Sequence, residues 1–353
     1  VNRTINTSHR RPNLVRTAVR ALPLLFQVII GAALLAWLIG RLCTDRYAWS
    51  QWLWWTPTLI AIALAILGTL IALIPAPPRF GRRSRSGLWA ITTIAIIVYF
   101  AAFEHRFLSR PKTATGGIEL VHWTCTMSAP HLRREHAAWA QTFTGDIAIL
   151  MHTGGLSFDP GMNEVRQRGY TVYPIGLATI ITRAPLLEHR PIIINRPYIV
   201  WMMKFDVRAL SDSDNNSEAP DAEPTLTVWI IDLPSDPQLS RHDVSVRLRE
   251  LIESADEEPP AVILGDFNIQ RGSASLASVF PDHVHAFAQA GRGYGATFPR
   301  ERPMYHIDHI LLRDPWRALR YDIEDTGQGR HRRHRAFLTT RPTSDPVKNP
   351  ATD

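Results

Sequence analysis

The chain has 353 residues, 45% of them hydrophobic and 20% charged, with a formal net charge of +7. That length exceeds one ordinary compact domain and predicts two units, while two cysteines are too few for a disulfide framework. The charge is divided: residues 1–109 carry 12 Arg against two acids, whereas residues 110–353 carry 27 Lys plus Arg against 30 acids, so the second unit has no basic nucleic-acid-binding signature.

In chain order, three uncharged apolar runs come first, at 22–40, 53–76 and 87–103. Each is long enough to cross a hydrocarbon core of roughly 30 Å as a helix, the form that satisfies its backbone inside lipid. Tyr47, Trp49, Trp52, Trp54, Trp55 and Trp89 lie near their ends, as interfacial anchors do. The expectation is a membrane region over 1–106 with the lipid bilayer as its partner. Arginines precede the first run (Arg10, Arg11, Arg16, Arg20) and fill the second loop (Arg79, Arg82, Arg83, Arg85). By the positive-inside rule the remainder then lies on the extracytoplasmic side of a bacterial-type plasma membrane.

A polar linker over 107–117 leads into alternating strand-like and helix-like segments over 118–341. Residues 211–224 read as an acidic loop and 342–353 as a disordered tail. Two cysteines, Cys43 and Cys125, read as small apolar residues. The pattern predicts an α/β layered sandwich.

Within it, AVILGDFNIQ (261–270) is an apolar, β-branched run ending in a glycine turn that presents Asp266 and Asn268 at the strand's carboxyl end. A second such strand, YHIDHILL (305–312), carries Asp308 between His306 and His309, and His309 reads as a packing residue. Paired acids at strand ends are a common basis for metal and phosphate chemistry.

The ordered set LTVWIIDLPSDP, AVILGDFN, AGRGYGATFP and YHIDHILL resembles the endonuclease/exonuclease/phosphatase superfamily, in the branch with a short amino-terminal membrane region. The resemblance covers residues 118–341. It implies a four-layer sandwich of two packed mixed sheets flanked by helices, preceded by three transmembrane helices. It also implies a metal-dependent phosphoester hydrolase. Carried over by position, Asp266 activates water, Asn268 orients water and phosphate, and Asp308 supports a catalytic histidine, taken as His334 in RRHRAF. Arg333 and Arg335 would then face substrate.

Four positions depart from that pattern. Trp123-Thr124 stands for Trp-Asn, Met151-His152 for Gln-Glu, Asp232-Leu233 for His-Leu, and Arg332-Arg333-His334 for Ser-Asp-His. A hard Mg²⁺ ion prefers oxygen ligands, so losing the principal glutamate predicts a degenerate site with reduced or lost activity. Alternatively, His152 and Asp232 join Asp266 and His334 in a mixed set suited to Zn²⁺ or Mn²⁺. Ordinary Mg²⁺-dependent phosphodiesterase activity and a non-catalytic binding module are the other readings.

Overall fold

The computed structural model describes residues 14–74, 82–110, 116–125, 130–211 and 225–340. The acidic insert from 212 onward, the 342–353 tail and Arg79 fall outside them, as does the middle of the linker.

The amino-terminal region holds α1 (Leu14–Cys43), α2 (Ala48–Trp54), α3 (Thr58–Ala72) and α4 (Arg82–Val98), the last continuing as a π-helical turn over Tyr99–Glu104. Two helices, Ala21–Cys43 and Ser84–Glu104, are long and apolar enough to cross a membrane. The second apolar run differs from the single helix expected. It breaks into α2 and α3, bent by 66°. Pro57 stands at the break as the N-cap of α3; it lacks an N–H and disfavours helical backbone at Thr56. The region has three spans only if the bent pair counts as one.

The rest is two six-stranded mixed sheets. The first contains β1 (Ile118–Thr124), β2 (Ile147–Met151), β3 (Thr171–Ile175), β4 (Ala178–Thr182), β11 (Arg317–Glu324) and β12 (Arg333–Thr339), ordered β11-β12-β1-β2-β4-β3. The second contains β5 (Leu186–Asn195), β6 (Tyr198–Asp206), β7 (Thr225–Asp232), β8 (Val262–Asp266), β9 (His283–His285) and β10 (Asp308–Arg313), ordered β5-β6-β7-β8-β10-β9. Apolar residues of both inner faces, among them Ile149, Ile180, Val228, Leu264 and Ile310, fill the space between the sheets.

On the outer faces, α5 (Pro130–Thr142) and α6 (Met162–Gln167) cover the first sheet; α8 (Arg241–Ala255) and α9 (Ala274–Val279) cover the second. A one-turn α7 (Arg208–Ser211) follows β6, and α10 (Ala286–Ala290) follows β9. This is the four-layer arrangement expected. Central β2 and β8 are buried along their whole length, because both faces of each are covered.

The globular part packs directly on the amino-terminal helices. Gln51 of α2 donates to the carbonyls of Pro237 (3.1 Å) and Leu239 (3.2 Å) and accepts from the backbone N–H of Arg241 (2.6 Å). Thr44 and Asp45, between α1 and α2, accept from the first backbone N–H groups of α9, those of Ala274 and Ser275 (3.2 Å each). Such helix-end donors have no partner within the helix, so this contact satisfies them.

Candidate active site

Strand register builds the site. β7 runs parallel to β8 with Asp232 opposite Asp266, and β10 runs antiparallel to β8 with Asp308 opposite Asp266. Three carboxylates therefore stand in a row across adjacent strands, an arrangement that like-charge repulsion disfavours unless cations intervene. Gly265 makes the close approach possible: its φ is +151°, and a Cβ there would lie 1.8 Å from the carbonyl oxygen of Ile231.

Two histidines pair with the flanking carboxylates. His331, in the loop before β12, places Nδ1 2.9 Å from Asp308 Oδ2, and its Nε2 is 3.9 Å from Asp266 Oδ2. His152, just past β2, places Nε2 3.2 Å from Asp232 Oδ1. Asp308 is fully buried and further held by the hydroxyls of Thr124 (2.6 Å) and Thr297 (2.7 Å). Asn268 donates Nδ2 to the carbonyl of Leu233 (3.0 Å), which fixes its amide, and its backbone N–H donates to Asp266 Oδ1 (3.2 Å). His152 and Asn268 both adopt left-handed backbone (φ +54° and +52°), the local strain that strand-end functional loops often store.

Protonation follows from these neighbours. Burial alone would strip the proton from His331, but the charge and hydrogen bond of Asp308 overcome it and raise the imidazole to about 9. Burial likewise opposes the charge on Asp308, and the His331 contact overrides that and holds this carboxyl well below its usual range. Asp266, the middle member, is pushed well above the carboxylate range, first by burial and then by the Asp308 charge. The hydrogen bond to Asp232 raises His152. The centre of the row is thus a proton-hungry acid, Asp266, flanked by the Asp308–His331 ion pair on one side and the His152–Asp232 hydrogen bond on the other.

Asp232, Asp266, Asn268, His152 and His331 line one cleft of about 790 Å³, whose wall includes Arg196, Phe298 and Arg330. Asp266, Asp308 and His331 each offer a ligand atom, all within 4.8 Å of one another.

The expected histidine is not in this cleft. His334 is buried between the sheets, opposite His122 on β1, with its Nδ1 against the Tyr321 hydroxyl. Strand alternation explains it: His334, Ala336 and Leu338 all point inward along β12. The histidine that meets Asp308 is His331, so the aligned triplet is Gly329-Arg330-His331. That inward apolar alternation was readable in HRAFLTT and would have separated the two histidines of RHRRHR. Arg333 and Arg335 likewise lie outside the cleft. Arg333 pairs with Glu324 and stands over the Trp139 ring (4.7 Å), and Arg335 pairs with Glu119 (2.8 Å). Arg330 takes the cleft position intended for Arg333. Thr297 lies within AGRGYGATFP, but nothing in that segment alone shows that its hydroxyl reaches Asp308, which the fold of the 291–305 loop brings about.

A divalent cation would find a mixed donor set here. The carboxylate oxygens of Asp308 are already occupied by two hydroxyls and an imidazole, and no glutamate stands beside Asp266 among the cleft-lining residues. The donor atoms that converge are those of Asp266, Asp308 and His331, and the His152–Asp232 pair lines the same cleft, a mixed nitrogen and oxygen set that fits Mn²⁺ or Zn²⁺ better than an all-oxygen Mg²⁺ shell.

The family profile described as "Endonuclease/Exonuclease/phosphatase family" matches residues 148–345. No curated protein matches the sequence. Among solved structures, an endonuclease/exonuclease/phosphatase family protein from Bacteroides thetaiotaomicron is 12% identical, with 64% of this chain and 98% of that one covered and a TM-score of 0.47. A mannosyl-6-phosphatase from the same organism is also 12% identical (63% and 99% covered, TM-score 0.46). A 3′ phosphatase from Neisseria bound to product DNA hairpin is 13% identical (63% and 99%, 0.42).

Proposed function

The chain belongs to the endonuclease/exonuclease/phosphatase family, and from that premise we propose a membrane-anchored domain of the phosphoester hydrolase type whose acid–base half is intact and whose cation-holding half is altered. Its turnover with Mg²⁺ is therefore reduced or lost. The observation that carries this reading is the Asp308–His331–Asp266 contact at the floor of the cleft, facing a His152–Asp232 pair where an oxygen ligand set would stand.

In this reading Asp266, its proton affinity raised by burial, takes a proton from the attacking water. Asn268, pinned to Leu233, orients that water. His331, held as imidazolium by Asp308, donates a hydrogen bond to a phosphoryl oxygen as charge builds there. Thr124 and Thr297 keep Asp308 in place. Asp232 and His152, beside Asp266, would hold a divalent cation, which would supply further stabilisation of phosphoryl charge.

The test is hydrolysis of bis-p-nitrophenyl phosphate and p-nitrophenyl phosphate by the full chain in detergent, with Mg²⁺, Mn²⁺ or Zn²⁺. Little or no turnover is expected with Mg²⁺, and Asp266→Ala abolishes whatever turnover any ion gives. Brisk Mg²⁺-dependent turnover would sink the proposal of an altered site, and activity surviving Asp266→Ala would sink the residue assignments.

The 3.2 Å His152–Asp232 contact favours a second reading, a working mixed-ligand site. There Mn²⁺ or Zn²⁺ restores turnover and His152→Ala removes it.

A further inference from the structure

A second cluster lies in the interior behind Asp308, apart from the cleft. His285 ends β9, His306 precedes β10 and His309 lies on it; each offers a ring nitrogen within 4.8 Å of the others. His306 and His309 are buried and His285 is partly buried.

Two of the rings have a defined hydrogen-bond chain. The backbone N–H of Phe287 donates to His285 Nδ1 (3.0 Å), His285 Nε2 lies 2.9 Å from His309 Nδ1, and His309 Nε2 lies 2.8 Å from the carbonyl of Ile269. The carbonyl can only accept, so His309 carries its proton on Nε2 and turns the Nδ1 lone pair toward His285. His306 is different. It stacks on His309 at 5.4 Å between centroids, and both its nitrogens are buried with no hydrogen-bond partner. A buried imidazole with neither its donor nor its acceptor satisfied costs free energy that an apolar ring in the same place would not.

We propose that His285, His306 and His309 form a nitrogen-only transition-metal site, separate from the cleft, that takes a borderline cation such as Zn²⁺ and rejects Mg²⁺. Three imidazoles on neighbouring strand ends match the ligand type such ions select. The Ile269 carbonyl fixes the His309 tautomer, as outer partners of metal-bound histidines do. The cation takes the place of the proton shared by His285 Nε2 and His309 Nδ1, and that proton leaves to solvent. His285, still accepting from Phe287 at Nδ1, then binds as imidazolate. Its negative charge and the nearby Asp308 offset the cation against Arg271, whose guanidinium stands over the Phe287 ring at 4.6 Å. A cavity of about 260 Å³ at the junction with the membrane region reaches His306 and provides an entry path.

The test uses Co²⁺ alone on the full chain in detergent, in the intact sequence and in Asp266→Ala, which disables the cleft chemistry. Both should show the intense visible absorption of a low-coordinate nitrogen-ligated Co²⁺. Zn²⁺ should displace it and Mg²⁺ should not. Added to Asp266→Ala, His306→Gln should lose the absorption while keeping the melting temperature of metal-free Asp266→Ala, and should lose the rise in that temperature that Zn²⁺ gives Asp266→Ala. Absence of the absorption in the intact chain, or its persistence in both His306→Gln and His309→Ala, overturns the site and leaves the cluster as packed, hydrogen-bonded rings. Because Asp266→Ala retains this site, its failure and the failure of the hydrolase reading are told apart.

Discussion

The residue that reports most directly on the cleft is His331. Its imidazole is raised from 6.5 to about 9 in the folded chain, so its stabilising contribution is complete below pH 6.5 and is lost as pH rises through about 9. The shift corresponds to about 3 kcal/mol at most. Asp266 acts in the same direction, since a carboxyl that holds its proton more tightly when folded favours the fold less as pH rises. Asp308, held low, withdraws its contribution only in acid. In chelator, urea unfolding of the intact chain should therefore weaken between pH 6.5 and 9.5, and His331→Gln should flatten most of that slope. An unchanged slope would mean that His331 is not paired with Asp308. Gly265 is the other residue with a sharp expectation: Gly265→Ala drives a methyl into the Ile231 carbonyl and should cost about 3 kcal/mol or more, read as a fall in melting temperature.

At the scale of elements, the strands that carry Asp232, Asp266 and Asp308 were legible because strands buried on both faces read as continuous apolar runs. GDFN and IDHIL pointed to two strand ends that the structure lays side by side. The third histidine motif was not placed correctly, because it depended on which of two histidines three residues apart belongs to the loop. Only the alternation of β12 decides that. α2 was also missed, since it lies mostly before the apolar run 53–76 and shares only its first two residues. Gln51 and Ser50 are buried in contact with the globular part or the turn before α2, whereas Trp49 and Trp52 stay exposed, so polarity in this short stretch marks a docking helix. Gln51→Ala should leave the Arg241 N–H and two carbonyls without their partner, costing about 1–3 kcal/mol. Limited proteolysis of detergent-solubilised chain should show faster cleavage near residue 238, and equal rates in the two proteins would argue that the contact is dispensable.

For the whole molecule, the membrane region and the sandwich share an interface rather than a tether. Arg106 donates to the Gly291 carbonyl (3.1 Å), and the N–H of Gly295 donates to His105 Nδ1 (2.9 Å), adding to the α2 and α9 contacts. The proposed anchoring predicts that an alkaline carbonate wash leaves the chain in the membrane fraction, whereas release into the supernatant would refute integral insertion. Residues 44–51, placed by sequence in the amino-terminal unit, also form part of the surface against which the sandwich packs.

The contact at Thr44 and Asp45 has a practical corollary. The stretch it grips, Ala274 and Ser275, begins six residues beyond Asn268, so trimming away the first hundred residues would strip two acceptors from the start of α9 and leave Ser273 as its remaining cap. A shortened, easily handled fragment would then give a poor assay of the intact protein, and silence from it should not be mistaken for an inert parent.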